Sequence, residues 1–230
     1  MSRATPITSS EERAKNSWLL SFGDVITLMI TFFILLIAVN KGEITKIQKW
    51  SDEQVESSYH ILQSQVEQAQ LPIEIKYSLE GIKLILKADQ SFASADYHPL
   101  PRLQQTLRQV AGILKALPLM NLRQNPQTAE VIKKIEATGY HWYVEVDVEG
   151  HTDNDPVNPK SPVRNNWILS ALRAQTVADF LAENSGLPHH LFATSGYGQY
   201  RPLVPNDSPE HKAKNRRIEI TLIAYFQKLK

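Results

Sequence analysis

VEGHTDNDP (148–156), NWILSALRA (166–174), YGQYRP (197–202) and KNRRIEI (214–220) follow one another in the C-terminal half of this chain, and the periodicity around them decides the fold. Val144, Val146 and Val148 alternate as a strand running into Gly150, and Ile218, Ile220, Leu222, Ala224 and Phe226 alternate as the final strand. A period of two puts such residues on one face of a sheet. Between them Leu169, Leu172, Val177, Phe180 and Leu181 keep helical spacing up to Gly186. Further upstream Ile73, Ile75, Tyr77 and Leu79 alternate, Glu80-Gly81 follows, and IKLIL resumes, which predicts two strands meeting at a tight turn. Leu103, Leu107, Val110, Leu114 and Leu117 predict an amphipathic helix ending before Pro118. Asn125-Pro126 opens another, with Asn as cap and Pro at the first helical position, and Gly139 closes it. Strands alternating with helices predict an α/β sandwich over residues 72–230, helices covering one face of a mixed sheet.

Ahead of this domain lies LLSFGDVITLMITFFILLIAV, Leu19 to Val39, whose 21 residues match the roughly 20 apolar residues that cross a bilayer core. A single transmembrane helix is expected over 18–40, after a polar tail over 1–17. The run is longer than a signal-peptide apolar region, and Asn40-Lys41-Gly42-Glu43 offers no small-residue cleavage pattern. Arg3, Arg13 and Lys15 precede it and Lys41, Lys46 and Lys49 follow, so charge balance does not orient it. Asp24 is the only formal charge inside the span. A carboxylate in hydrocarbon costs on the order of 2.5–3.5 kcal/mol on insertion scales, so one retained there points to function.

Residues 41–71 form an expected helical linker. Val55, Tyr59, Leu62, Val66 and Ala69 fall on a heptad seam, which suits either a pair of tethered chains or a helix lying on its own domain. Ile44, Ile47 and Trp50 give the first turns a separate apolar edge, and Pro72 ends the element.

The formal net charge of +1, with interspersed charges, implies no general nucleic-acid affinity. The absence of cysteine excludes disulfides, thiolate metal sites and cysteine nucleophiles. His151 with Asp153 and Asp155 is ordinary loop spacing rather than a metal site, and nothing in the spacing of Glu149 and Asp153 or Asp155 demands a glycosidase pair. No enzyme activity, metal or cofactor is expected.

Taken together, the four motifs closely resemble the OmpA-like peptidoglycan-binding domain, and NWxLSxxRA is similar to its MotB branch. WLLSFGDVITLMITFFILL is similar to the membrane helix of MotB-type stator subunits, aromatic–small–Asp followed by a Thr-Leu pair. The resemblance implies binding of the diaminopimelate of a peptidoglycan stem peptide, whose distal amine and carboxylate form a zwitterion. Asp153 matches the family's ammonium-binding Asp and Arg173 its carboxylate-binding Arg, a task that suits bidentate guanidinium geometry. Asn166 and Thr152 match neighbouring polar positions, and Asn215, Arg216 and Arg217 match the NRR before the last strand. Thr152, Asp153, Asn166, Arg173, Asn215 and Arg217 are therefore the expected peptidoglycan contacts. Arg217 alternates with Ile218 and belongs on the opposite face, so one arginine of the pair is expected inside and the other on glycan.

The resemblance further implies a homodimer within a ring of MotA-like subunits in the bacterial inner membrane, N-terminus cytoplasmic and C-terminal domain periplasmic. Asp24, with Thr27, would bind the coupling ion, and protons are favoured over sodium because Thr27 and Thr31 can bond their own helix backbone. The stretch after the membrane helix would act as a plug or only as a linker. A flagellar stator is the first reading; the B subunit of a Zorya-type anti-phage motor and a static OmpA/Pal-like wall tether are the alternatives. Two departures stand out: residues 118–142 make a longer connection than the minimal domain, and the linker from Val39 to Ile73 is short for a flagellar stator.

Overall fold

A computed structural model describes residues 8–87, 91–158 and 163–228. It divides into two compact units, one up to Gln48 and one from Lys49 onward. Helix α1, Thr8–Gln68, contributes to both. In the first unit it contains Ser17–Ala38, which is long and apolar enough to cross a membrane and buries none of its side chains within the protein. Helix begins at Thr8, inside the expected polar tail; residues 1–7 of that tail lie outside the described residues.

The second unit is built on five strands: β1 (Ile73–Ser78), β2 (Gly81–Lys87), β3 (Tyr140–His151), β4 (Phe192–Gly196) and β5 (Arg217–Lys228). Their order in the sheet is β1-β2-β5-β3-β4, antiparallel throughout except that β3 and β4 run parallel. The sheet is mixed, as the periodicity predicts. Ser78 pairs with Gly81, which leaves Leu79-Glu80 as the two-residue turn. The helices are α2 (Pro101–Ala116), α3 (Pro118–Asn121), α4 (Pro126–Glu136), α5 (Asn166–Ser185) and α6 (Pro209–Asn215). Asn125 caps α4 by accepting from Gln127 N, and Gly186 closes α5 in the left-handed region. His189-His190 opens a short 3-10 turn ahead of β4.

One face of the sheet carries the core. Leu84, Val146, Val148, Ile220 and Leu222 pack there against Leu107 and Leu114 of α2 and Val177 and Leu181 of α5. Val55, Leu62 and Val66 of α1 belong to the same buried cluster, so the heptad seam lies on its own domain. Of the two readings of that seam, the structure realises the intramolecular one. Trp50 likewise packs its ring against Trp142 and Phe226, at 5.9 and 5.8 Å between centroids. The domain boundary in packing terms is therefore Lys49, not residue 72.

Glycine sets how closely helix and sheet approach. A Cβ on Gly150 would lie 2.0 Å from the Ser170 carbonyl oxygen, and one on Gly196 2.4 Å from the Ala171 N. Bare backbone at these two strand ends lets α5 press onto β3 and β4. That contact fixes the end of β3 against the helix carrying Arg173.

Candidate functional site

Thr152 and Asp153 continue from β3, Asn166 and Arg173 project from α5, and Arg216 stands at the junction of α6 and β5. These five line one cavity of about 530 Å³, closed on another side by the backbone of Phe92 to Ala95. The Arg173 side chain is buried. Its Nε donates to the Asp96 carbonyl at 2.9 Å, its Nη2 to the Ala93 carbonyl at 3.3 Å, and its guanidinium stacks 4.7 Å from the Phe92 ring centroid. Burial pulls its pKa down to about 10, against the opposing pull of Asp153 and Asp96, so it stays charged at neutral pH.

Asp153 is buried too. Its Oδ2 accepts from Arg216 Nη1 at 2.6 Å and its Oδ1 from Asp155 N at 3.1 Å. Asn166 Nδ2 donates to the carbonyls of Asp153 and Asp155 and to Gln199 Oε1, at 3.2, 2.8 and 3.3 Å. Thr152 Oγ1 donates to the Asp153 carbonyl at 2.9 Å. Asn166 and Thr152 thus shape the loop that carries the carboxylate. Arg173 and Arg216 set against Asp153 and Asp155 leave the cavity lining formally neutral, with both signs present, a pattern suited to a carboxylate with an ammonium nearby.

Two expected site residues stand elsewhere. Asn215 is fully buried: its Oδ1 accepts from Leu203 N and Val204 N at 2.9 and 3.2 Å, and its Nδ2 donates to Val204 O at 2.8 Å. It braces the 203–206 segment. Arg217 lies on the other face of the sheet, Nε on Glu219 Oε1 at 2.6 Å and Nη2 on the Arg201 carbonyl at 3.2 Å. Arg216 takes its place in the cavity. The pleat holds the reason, since Arg216 shares the parity of the core residues Ile218 and Ile220 while Arg217 shares that of Glu219.

In the membrane segment, Thr27 Oγ1 donates to the Asp24 backbone carbonyl and Thr31 Oγ1 to that of Leu28, both at 2.8 Å. The hydroxyls serve the helix, and the Asp24 side chain is exposed on its surface.

The other sheet face carries Glu145, Asp147 and Glu149 along β3, with Lys83, Arg217, Glu219 and His151. Glu149, His151 and Glu219 come close enough to hold a metal, yet Lys83 Nζ at 2.7 Å and Arg217 Nε at 2.6 Å already occupy the two oxygens of Glu219. His151 stacks on Tyr197 at 5.5 Å, and its ring nitrogens have no hydrogen-bond partner among the described residues. Burial first, then Arg217, depresses its pKa to about 4, so the imidazole is neutral in the fold. Its contribution to stability is present above about 6.5 and is lost as pH falls towards 4. Asp147 has the opposite sign: burial, then Glu149 and Glu145, raise its pKa to about 6, and stability is gained as pH falls through that value. Asp147→Asn should therefore stabilise the protein at pH 7.5 by about 2 kcal/mol in denaturant unfolding, and the gain should fade by pH 4. A gain of equal size at both pH values would show that Asp147 is not strained by its charge.

The cavity thus lies where the end of β3 meets α5 and Arg216 on the α/β domain. Comparison with known proteins gives the family context. Residues 122–216 match the OmpA family, and residues 5–53 match the family described as "Membrane MotB of proton-channel complex MotA/MotB". Uncharacterized protein YtxE of Bacillus subtilis is 27% identical over 226 residues, covering 94% of this chain and 91% of that one. Motility protein B of Helicobacter pylori strain J99 is 25% identical over 234 residues, covering 90% and 85%. Among solved structures, the cell wall anchor of the T6SS from Pseudomonas aeruginosa is 28% identical with a TM-score of 0.50, covering 70% of this chain and 93% of that one. The chain is a MotB-like protein with an OmpA-like domain.

Proposed function

We propose that this chain is the ion-conducting and wall-anchoring B subunit of a MotA/MotB-type rotary motor, acting as a flagellar stator. The observation that carries this reading is the presence, in one chain, of a lone carboxylate in a membrane-length helix and an Arg173–Asp153–Arg216 cavity on the attached domain. A static wall tether has use for the second and none for the first. In this reading the chain sits in the bacterial inner membrane with its N-terminus cytoplasmic and its domain periplasmic. It pairs with a second copy inside a ring of MotA-like subunits, and Asp24 takes up and releases protons. The domain grips the diaminopimelate of a stem peptide: Arg173 and Arg216 face the carboxylate and Asp153 the ammonium.

Full-length protein in detergent should sediment with purified diaminopimelate-containing peptidoglycan. Arg173→Ala and Arg216→Ala should each weaken this by at least tenfold, since a charge-assisted hydrogen bond is worth about 1.5–3 kcal/mol. Arg217→Ala should instead lower thermal stability and leave the affinity of the folded fraction unchanged. If the chain pellets equally well with Asp153 and Arg173 both replaced by alanine, the cavity is not the wall site.

A further inference from the structure

At the end of β3 away from the cavity, the sheet narrows to a two-stranded ribbon. Pairing with β4 begins at Val146 and pairing with β2 stops at Leu222. Residues 140–145 of β3 and 223–228 of β5 therefore pair only with each other among the described residues. Five of these twelve residues are aromatic in a chain that is 8% aromatic, so the rings are concentrated here. They occupy both faces. On the core face Trp142 pairs with Phe226, ring centroids 5.0 Å apart, and Trp50 packs on both. On the other face Tyr143 and Tyr225 stand directly opposite each other, centroids 5.1 Å apart, and are 36% and 41% exposed. At the tip Lys228 Nζ reaches over the Tyr140 ring, 5.6 Å from its centroid.

Two observations point to a lipid surface as the occupant of this ribbon. The first is chemical. Tyrosine and tryptophan favour the boundary of hydrocarbon and water, where the ring is dry and the polar tip wet, and lysine lays its stem on apolar surface there. Backbone left unpaired at the ribbon's two edges needs water or polar partners, which suits the headgroup layer and not the hydrocarbon. Charges flanking the ribbon are mixed, with exposed Lys49 3.9 Å from Glu53 and exposed Lys134 2.8 Å from Glu130. Ring insertion, not net charge, therefore supplies the attraction. The second observation is the tether. The apolar span ends at Ala38 and Trp50 follows twelve residues later, a stretch that extends over at most about 43 Å. The ribbon on which Trp50 packs is thus kept at a high effective concentration near the bilayer.

We infer that the β3–β5 ribbon docks on the bilayer that the chain's own apolar helix spans, seating Tyr143 and Tyr225 among the headgroups, a proposal that rests on the membrane-anchored reading above. The twelve residues of β3 rise about 37 Å from Tyr140 to His151, and Thr152 and Asp153 follow directly. A docked ribbon puts the cavity at the end of the strand furthest from the lipid. The same strand then carries a lipid contact at its start and the ligand site at its finish.

The chain has no cysteine, so single cysteines can carry a fluorophore at chosen places in the full-length protein. Three are compared in phosphatidylcholine nanodiscs containing lipid with a nitroxide on its headgroup. They are Gln227→Cys on the ribbon, Asn154→Cys beside the cavity and Ile37→Cys near the end of the span, all exposed positions. Emission should be lost at 227 and 37 and kept at 154, and raising the salt should change none of this. Tyr143→Ser with Tyr225→Ser should restore emission at 227 alone. Tyr225→Glu should do the same with Tyr143 in place, which guards against misfolding of the double variant. Full emission at 227 beside loss at 37, or equal loss at 227 and 154, would overturn the docking. Shielding of 227 from aqueous iodide without nitroxide quenching would overturn it as well, by showing the ribbon covered by protein. Full emission at 37 would overturn the membrane reading itself and the docking with it.

Discussion

Asp24→Asn should abolish ion flux and torque while membrane insertion and wall binding stay intact. The amide keeps the size of the side chain and removes the only formal charge in the span. Because the Thr27 hydroxyl donates to the Asp24 main-chain carbonyl, that interaction survives the substitution. Thr27→Val should accordingly retain most activity, unless its hydroxyl completes an ion shell. Swimming complementation and proton uptake into vesicles containing the chain with its MotA-like partner would read both variants. Full motility in the Asn variant sinks the channel reading, and loss in Thr27→Val together with a sodium requirement sinks the choice of protons.

Cutting the chain at residue 73, as its sequence invites, should yield a domain that fails to unfold cooperatively, whereas a cut before Lys49 should yield a stable one. Val55, Leu62 and Val66 are 6%, 0% and 5% exposed, and the shorter fragment lacks all of them. It would open part of the sheet's core face to water. Within the intact chain, Leu62→Ala alone should cost about 2–5 kcal/mol by the usual large-to-small penalty. Chemical unfolding of the two fragments decides the matter, and equal midpoints would show that the α1 segment contributes nothing to the core.

Periodicity made much of this domain legible. The hairpin of β1 and β2, the capped start of α4, the Gly186 stop of α5 and the core side of β5 all follow from local chemistry and appear where that chemistry puts them. Failures came where local pattern is silent. FATSG in β4 is five residues with a half-buried pattern, a strand only because β3 lies parallel beside it. The Phe92 to Asp96 segment has no period at all, yet the carbonyls of Ala93 and Asp96 hold Arg173. Heptad spacing in α1 records that a stripe is buried and carries no mark of whose surface buries it. The arginine pair is a different case. The parity argument was available from Ile218, and the structure assigns Arg216 to the cavity and Arg217 to Glu219.

That adjacency leaves the chain with no tolerance for an added residue between Arg217 and Ile218. One inserted there would exchange the faces of the two guanidinium groups while Ile218 onward keeps its register with β2 and β3. The cation meant for the ligand would then face Glu219, and the one meant for Glu219 would crowd Asp153. Length drift among descendants of this protein should accumulate away from this short stretch, while the stretch itself keeps a fixed count even where its side chains change. An arginine-to-lysine exchange at either place would be milder than a single added glycine.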